Sequence, residues 1–319
     1  MCETVRFYDR WVNGSGMRVA AMAAALEPRS APETCSCPVT QRAPQILTLE
    51  NAPYDAPQPR LPALDPLRLE PIERILVHGS AATADSCAFS DVDIAVFVDD
   101  TRCYPAHAHR DAIAELRRLL HAALAHDPLM HHGLMFAPAS ALQGYDQRFL
   151  PVETLRTARV LHGSPAFDVH LLERSAGEAK ATLVSCAQSL ARRVQTPDFL
   201  ADDFQFKTFL SGALLMPARV LAARGVHVYK RESFKLAHEF FTARQWEFIA
   251  RCEALRSLWV RPPAPLPHRL VPTMLHPRLR QIFGASCSPR LNVRRLSSVM
   301  VDGLLKSAQL FLRRVETLA

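Results

Sequence analysis

The sequence of 319 residues lacks long apolar stretches. A helix that crosses a membrane needs about 20 consecutive apolar residues. No run in this chain approaches that length, so we expect no membrane-spanning segment and no membrane partner. The apolar fraction is nevertheless 49 %, which is enough for a sizeable buried core in a chain long enough for two domains. The chain also has no internal repeats.

Cysteine pairs of the CxxC type are absent as well. The eight cysteines are scattered, and the only close pair is Cys35 and Cys37, in a proline-rich stretch. A structural zinc site usually takes four well-spaced ligands. The pattern therefore favours free thiols in a reducing compartment, and we expect a cytoplasmic protein.

Lysine is scarce, with 5 lysines among the 38 basic residues. The net charge of +7 would suit a polyanionic partner such as a nucleotide or RNA. However, an excess of Arg, Ala and Pro also arises from base-composition bias in coding DNA. The charge is thus compatible with such a partner and does not identify one.

Proline content and apolar periodicity divide the chain into four segments. Residues 1–45 have little periodicity and predict a disordered N-terminal segment, and residues 46–68 contain five prolines and predict an extended lead-in. Residues 69–163 mix strand and helix patterns, whereas residues 164–319 have helical periodicity throughout. The predicted fold class is therefore α+β: a small mixed-sheet domain followed by an all-helical domain.

Within the first domain we predict strands at residues 72–78, 91–98 and 129–137 and helices at 107–126 and 151–161. In the second domain we predict four helices, at residues 171–194, 204–224, 234–258 and 291–318. A proline-rich stretch at residues 261–272 separates the last two helices.

The candidate binding and catalytic residues follow the end of the first predicted strand. Gly79 and Ser80 follow this strand, ten residues intervene, and Asp91 and Asp93 then open the second strand. Gly79 has no Cβ, so a phosphate can approach its backbone, and Ser80 offers a hydroxyl and an N–H group. Aspartates two apart on a strand point to the same face, roughly 6–7 Å apart. Such a pair, together with a triphosphate, can bind Mg²⁺ or Mn²⁺.

This pattern resembles the signature of the DNA polymerase β-like nucleotidyltransferases: Gly-Ser, about ten residues, then Asp-x-Asp within apolar strands. The resemblance implies a metal-dependent enzyme that moves a nucleoside monophosphate from an NTP such as ATP to an acceptor hydroxyl. It also implies that Asp91 and Asp93 are catalytic metal ligands, and that Gly79 and Ser80 hold the phosphates of the donor.

The family usually adds a third carboxylate on a neighbouring strand, and the corresponding segment here contains no acid in its interior. Three alternatives follow. His131 or His132 replaces the acid as base or metal ligand, and His132 is our candidate catalytic residue. Alternatively, Asp127 or Glu153 enters the site from outside the strand. In the third case the domain binds nucleotide without turning it over.

Residues 127–136, 149–153 and 228–234 resemble uncharacterised bacterial nucleotidyltransferase-domain proteins in which an all-helical domain follows the catalytic one. In the wider superfamily the helical domain closes one side of the cleft and lends a basic residue to the triphosphate. Lys230 is our candidate for that residue, because lysines are few here and this one lies in a polar stretch between helical segments.

Two function classes remain open at this stage. One is a nucleotidyltransferase with an unknown acceptor, and the other is a catalytically degenerate nucleotide-binding or antitoxin-like protein of the same fold. RNA as a partner has weak support, since the basic C-terminal region shows no aromatic interleaving and no RNA-binding motif. The arginines concerned are Arg278, Arg280, Arg290, Arg294, Arg295, Arg313 and Arg314.

Overall fold

The computed structural model describes most of the chain beyond residue 44. The described ranges are 45–55, 60–83, 86–128, 133–147, 150–172, 176–261, 270–271 and 289–319. Nearly all of the predicted disordered segment, most of the 261–272 break, His131, His132, Arg278 and Arg280 lie outside these residues.

Six strands form two sheets in the described part of the chain. The strands are β1 (Gln45–Glu50), β2 (Ile72–His78), β3 (Asp93–Val98), β4 (Leu134–Pro138), β5 (Arg159–His162) and β6 (Ala166–Leu171). The larger sheet has the order β4-β3-β2-β5, with β3 and β4 parallel and the other pairs antiparallel. β1 and β6 form a separate antiparallel pair. This mixed sheet confirms the predicted α+β class.

The C-terminal part is helical after β6, which lies inside the range 164–319 that was predicted to be all-helical, and the helices predicted from residues 171 and 291 begin at Ala176 and Ser298. The α-helices of the described residues are α1 (Ala106–His126), α2 (Val152–Arg156), α3 (Ala176–Gln195), α4 (Asp203–Ala222), α5 (Lys230–Ala237), α6 (Ala243–Ser257) and α7 (Ser298–Leu318). None of them is long and apolar enough to cross a membrane.

Two of the predicted helices were wrong. The single helix at residues 234–258 is two helices, because Thr242 starts α6 with a capping box: its side chain accepts from the Gln245 backbone and the Gln245 side chain accepts from the Thr242 backbone. The helix at residues 151–161 is a short helix followed by β5, whose backbone pairs with β2.

β3 is apolar on both faces because both faces of the sheet are covered. Ile94, Val96 and Val98 pack with α1 in one cluster. Ala95 and Phe97 pack on the opposite side, with residues of β1 and β6. The strand is therefore buried along its whole length after Asp93, and only its first residue is partly exposed.

The proline-rich lead-in contains structure that the sequence did not predict. β1 pairs with β6, with Leu47 opposite Val169. Buried Asn51 then donates from Nδ2 to the carbonyl oxygens of Leu155 (2.9 Å) and Ala158 (2.8 Å). Both strands lie outside residues 69–163 and yet pack onto the sheet of that range. The division into domains stays a prediction.

The helical part has its own core, built around the aromatic side chains of α4. Phe209 stacks on Phe199 with ring centroids 3.9 Å apart, and Phe311 of α7 stacks on Phe241 at 4.7 Å. Phe89 belongs to this same cluster although it lies in the loop between β2 and β3. The loop that leads to the two aspartates is thus packed into the helical core.

We expect Asn51→Ala to lower the free energy of unfolding by about 1–3 kcal/mol, because two buried carbonyl groups lose their donor. Urea unfolding followed by circular dichroism measures this. Thr48→Ala is the matched control on the same strand, since the exposed Thr48 hydroxyl donates to Asp168 at 2.7 Å. That change should cost less than about 1 kcal/mol. Equal effects of the two substitutions would contradict the structural role of this segment.

Candidate active site

The Gly79 turn and the Asp93 carboxylate lie against each other. The antiparallel register of β2 and β3 puts His78 opposite Asp93, so the turn that follows β2 meets the start of β3. Gly79 has φ +69°, and the turn is closed by the N–H of Ala82 donating to the Gly79 carbonyl at 3.1 Å. A Cβ at position 79 would lie 2.7 Å from Asp93 Oδ2. Only glycine therefore fits between the turn and the carboxylate.

Asp91 and Asp93 are half-buried, and Val92 between them is fully buried. The strand begins at Asp93, so Asp91 lies in the preceding loop rather than on the strand as predicted. Burial raises the pKa of Asp93 well above its ordinary value, and the neighbouring Asp91 raises it further. The two carboxylates are thus close enough to repel each other, which is the arrangement that a divalent cation would relieve.

Two hydrogen bonds between Cys87 and Ser90 close a tight turn in the loop before Asp91. The backbone N–H of Cys87 donates to Ser90 Oγ at 3.0 Å, and the N–H of Ser90 donates to the Cys87 carbonyl at 3.0 Å. At the tip of the turn, Phe89 meets Trp259 edge to face at 5.3 Å. These contacts hold the approach to the aspartates against the helical core.

Two lysines of the helical part lie close enough to the aspartate pair to influence the pKa of Asp93. Lys230 is the first residue of α5, and Lys207 lies on α4 with 1 % of its surface exposed. Both lower the pKa of Asp93, and so oppose the effect of its burial. The predicted candidate Lys230 therefore lies within electrostatic reach of Asp91 and Asp93.

Lys230 lies in a mixed electrostatic environment. Burial lowers its pKa to about 8, with a further contribution from the Arg256 guanidinium, while Asp91 and Asp93 act in the opposite direction. Two cationic side chains next to each other at a half-buried position favour an anionic ligand, which would offset their repulsion.

Arginines from the end of α6 and beyond it reach the same loop. Arg256 donates to Ser90 Oγ at 3.5 Å. Arg261 donates to the carbonyl oxygens of His126 (3.0 Å) and Cys87 (3.3 Å), which joins the end of α1 to the loop before the aspartates. The surroundings of the aspartates thus combine negative charge from the β2–β3 region with positive charge from the helical part.

The structure separates the candidates for the third carboxylate. Asp127 ends α1, is fully buried and forms an ion pair with Lys207; it also raises the pKa of Asp93, so it lies within electrostatic reach of the pair. Glu153 lies on α2 and pairs with Arg156 at 3.1 Å. His131 and His132 fall outside the described residues.

The donor set around the aspartates fits a divalent cation bound together with a nucleotide. Among the described residues, no group of three or more His, Cys, Asp and Glu side chains could hold a metal ion by itself. Mg²⁺ is typically bound through one or two carboxylates plus substrate phosphates and waters. Asp91 and Asp93 would supply the carboxylates, and the remaining positions would be taken by phosphate oxygens and waters.

Sequence reasoning missed Lys207, Phe89, Arg256 and Arg261. Lys207 lies between phenylalanines in a predicted helix whose sequence is typical of a buried core. A lysine in such surroundings is a usable signal, because a buried ammonium needs a partner. The other three have no local signal, since their partners lie far away in the sequence.

A scan against models of protein families matches residues 67–128 to the family described as Polymerase beta, Nucleotidyltransferase. This range contains the Gly79 turn, both aspartates and α1. Residues 67–128 are thus similar to the polymerase β-like nucleotidyltransferases, in agreement with the sequence resemblance. Comparisons with curated proteins and with solved structures gave no significant match.

We expect Gly79→Ala to destabilise the protein by at least about 1–2 kcal/mol, because alanine is strained at positive φ and its methyl group would push Asp93 aside. Gly212→Ala is the matched control, since a Cβ there meets no atom within 4 Å and the residue lies inside α4. That substitution should be neutral or stabilise by up to about 1 kcal/mol. Thermal and urea unfolding compare the two, and a neutral Gly79→Ala would refute the close packing of turn and carboxylate.

Proposed function

We propose that this chain transfers a nucleoside monophosphate from an NTP to an acceptor hydroxyl with the help of Mg²⁺ or Mn²⁺. The observation that carries the proposal is the packing of the Gly79 turn against the Asp93 carboxylate, within residues 67–128 that match a nucleotidyltransferase family model. A backbone that phosphate can approach lies next to carboxylates that can share a cation with it.

Each residue has a distinct task in this proposal. Asp91 and Asp93 hold the metal ion, which when bound polarises the phosphoryl oxygens and offsets the charge of the leaving group. The Gly79 backbone and the Ser80 hydroxyl receive phosphate oxygens of the donor. Lys230 faces the distal phosphates from the helical side and stabilises their charge.

The reaction exchanges a phosphoanhydride bond of the NTP for a phosphoester bond to the acceptor. The acceptor oxygen forms a bond to the α-phosphorus, the bond between the α-phosphorus and the bridging oxygen breaks, and pyrophosphate leaves. The proton of the acceptor hydroxyl passes to a general base, for which His132 remains the candidate from the sequence.

A second candidate function follows from the state of Asp127. Its carboxylate forms an ion pair with Lys207, so this acid is not available as a base. This favours a protein that binds nucleotide, or neutralises a partner protein as an antitoxin does, without turnover. Nucleotide binding without pyrophosphate release across many hydroxyl acceptors would support this candidate over the enzyme.

We expect Asp93→Asn to reduce Mg²⁺-dependent pyrophosphate release by about a hundredfold or more, because it removes a charge that holds the metal ion at the reacting phosphate. The measurement is a coupled pyrophosphate assay with a panel of hydroxyl acceptors, including RNA ends. Undiminished activity in Asp93→Asn would contradict its role.

Asp100→Asn is the matched control for Asp93→Asn. Asp100 lies just beyond the other end of β3 and is exposed, and its carboxylate accepts from the backbone N–H of Ser140 at 2.9 Å. The control removes a charge near the same strand without touching the cleft, so it should leave pyrophosphate release within about twofold of wild type. A comparable loss in both variants would point to a structural cause.

We expect the affinity for Mg²⁺–NTP to fall as the pH rises through about 8. Lys230 has a pKa lowered to about 8, so in the nucleotide-free protein its charge is present below that pH and lost above it. Lys230→Met should bind about 10- to 150-fold more weakly at pH 7, since a charge-assisted hydrogen bond contributes about 1.5–3 kcal/mol. Its affinity should then vary little between pH 7 and 9.5 in titration calorimetry.

Lys235→Met provides the comparison for Lys230, because Lys235 is exposed on the same helix. This variant should keep both the wild-type affinity and its pH dependence. If Lys230→Met keeps the wild-type pH dependence instead, another group is responsible for it and the assignment of Lys230 fails.

A further inference from the structure

Lys207 is a buried cation at the point where the two parts of the chain meet. It lies on α4 of the helical part with 1 % of its surface exposed, and its ammonium forms an ion pair with the fully buried Asp127 at the end of α1. Burying two charges costs free energy unless each is well paired. Two apolar side chains would stabilise the contact between α4 and α1 equally well. We therefore look for a functional role of the ion pair.

The surroundings of Lys207 point toward the aspartate pair. Its Nζ lies 5.5 Å from the centroid of the Phe89 ring, and Phe89 precedes Asp91 by two residues in a loop held by its own hydrogen bonds. Burial lowers the pKa of Lys207, but Asp127, Asp91 and Asp93 together outweigh this and raise it. Lys207 therefore stays protonated, and its positive charge interacts with the carboxylates of Asp127, Asp91 and Asp93.

Lys207 and the carboxylates of Asp127, Asp91 and Asp93 resemble the charged groups of a two-metal site, with the Lys207 ammonium as one of the two cations. Two-metal phosphoryl-transfer sites use shared carboxylates to hold a pair of divalent ions about 3.5–4 Å apart. Here Asp127 already accepts from an ammonium, and a divalent ion at the same carboxylate would face a buried positive charge within a few ångströms. The repulsion between the two cations disfavours a metal ion at Asp127.

We propose that Lys207, paired with Asp127, takes the place of the second divalent ion, so that the site binds one metal ion with each nucleotide. The proposal rests on the proposed function, because it concerns the same cleft and the same donor nucleotide. Asp91 and Asp93 keep the remaining ion together with the phosphates. Lys207 is a positioning residue in this scheme: it holds Asp127 in place and supplies a fixed charge from the helical part.

Counting bound Mn²⁺ tests the proposal in the full-length protein. Equilibrium dialysis and electron paramagnetic resonance measure the number of Mn²⁺ ions per chain with saturating α,β-methylene analogues of the four common NTPs, which cannot be cleaved at the α-phosphate. The expected number is one Mn²⁺ ion per protein-bound nucleotide, after subtraction of the Mn²⁺ that is bound to free nucleotide in solution. A value of two would overturn the role of Lys207 and leave the proposed function intact, whereas failure to bind either Mn²⁺ or nucleotide would refute both.

Two variants separate the charge of Lys207 from its packing. In Lys207→Met three carboxylates remain without the ammonium, and the number of Mn²⁺ ions should rise to two. In Asp127→Asn/Lys207→Met the third carboxylate is gone as well, and the number should return to one. A folded Lys207→Met protein that still binds one ion would overturn the proposal. If that variant does not fold, the wild-type count alone decides between one ion and two.

Discussion

The antiparallel register that opposes His78 to Asp93 determines where the turn after β2 meets the start of β3. It brings the turn at Gly79 so close to the Asp93 carboxylate that no Cβ fits between them. Because β3 is buried on both faces after its first residue, Asp93 is the one position of that strand that can meet a ligand. A slip of one residue in this register would turn the carboxylate toward the core and leave the turn without its partner.

The region around β3 supplies the two aspartates of the site, and the helical part supplies the basic groups near them. Phe89 anchors the loop before Asp91 in the helical core, so the position of the aspartates depends on helices far away in the sequence. Those same helices bring Lys207 and Lys230 to the negative side of the cleft. The charges are therefore arranged for a ligand that combines a cation with a polyanion, which is the chemical character of a metal-bound triphosphate.

Much of this arrangement could be predicted from the sequence. β2, α1 and the spacing from Gly79 to Asp93 carry periodic or local signals, and α1 begins within one residue of its predicted start. β1 could not be predicted, because it sits among prolines and pairs with a strand about 120 residues later. The ion pair between Lys207 and Asp127 spans 80 residues, and no local pattern specifies such a contact. His132 stays a prediction, since it lies outside the described residues.

The most direct test of the central claim is a crystal structure of the chain with Mn²⁺ and a non-hydrolysable NTP analogue. We expect an anomalous manganese peak at the carboxylates of Asp91 and Asp93, and the triphosphate lying along the backbone of Gly79 and Ser80 with Lys230 beside its distal end. An analogue bound elsewhere, or a nucleotide in this cleft with no cation at the two aspartates, would contradict the account.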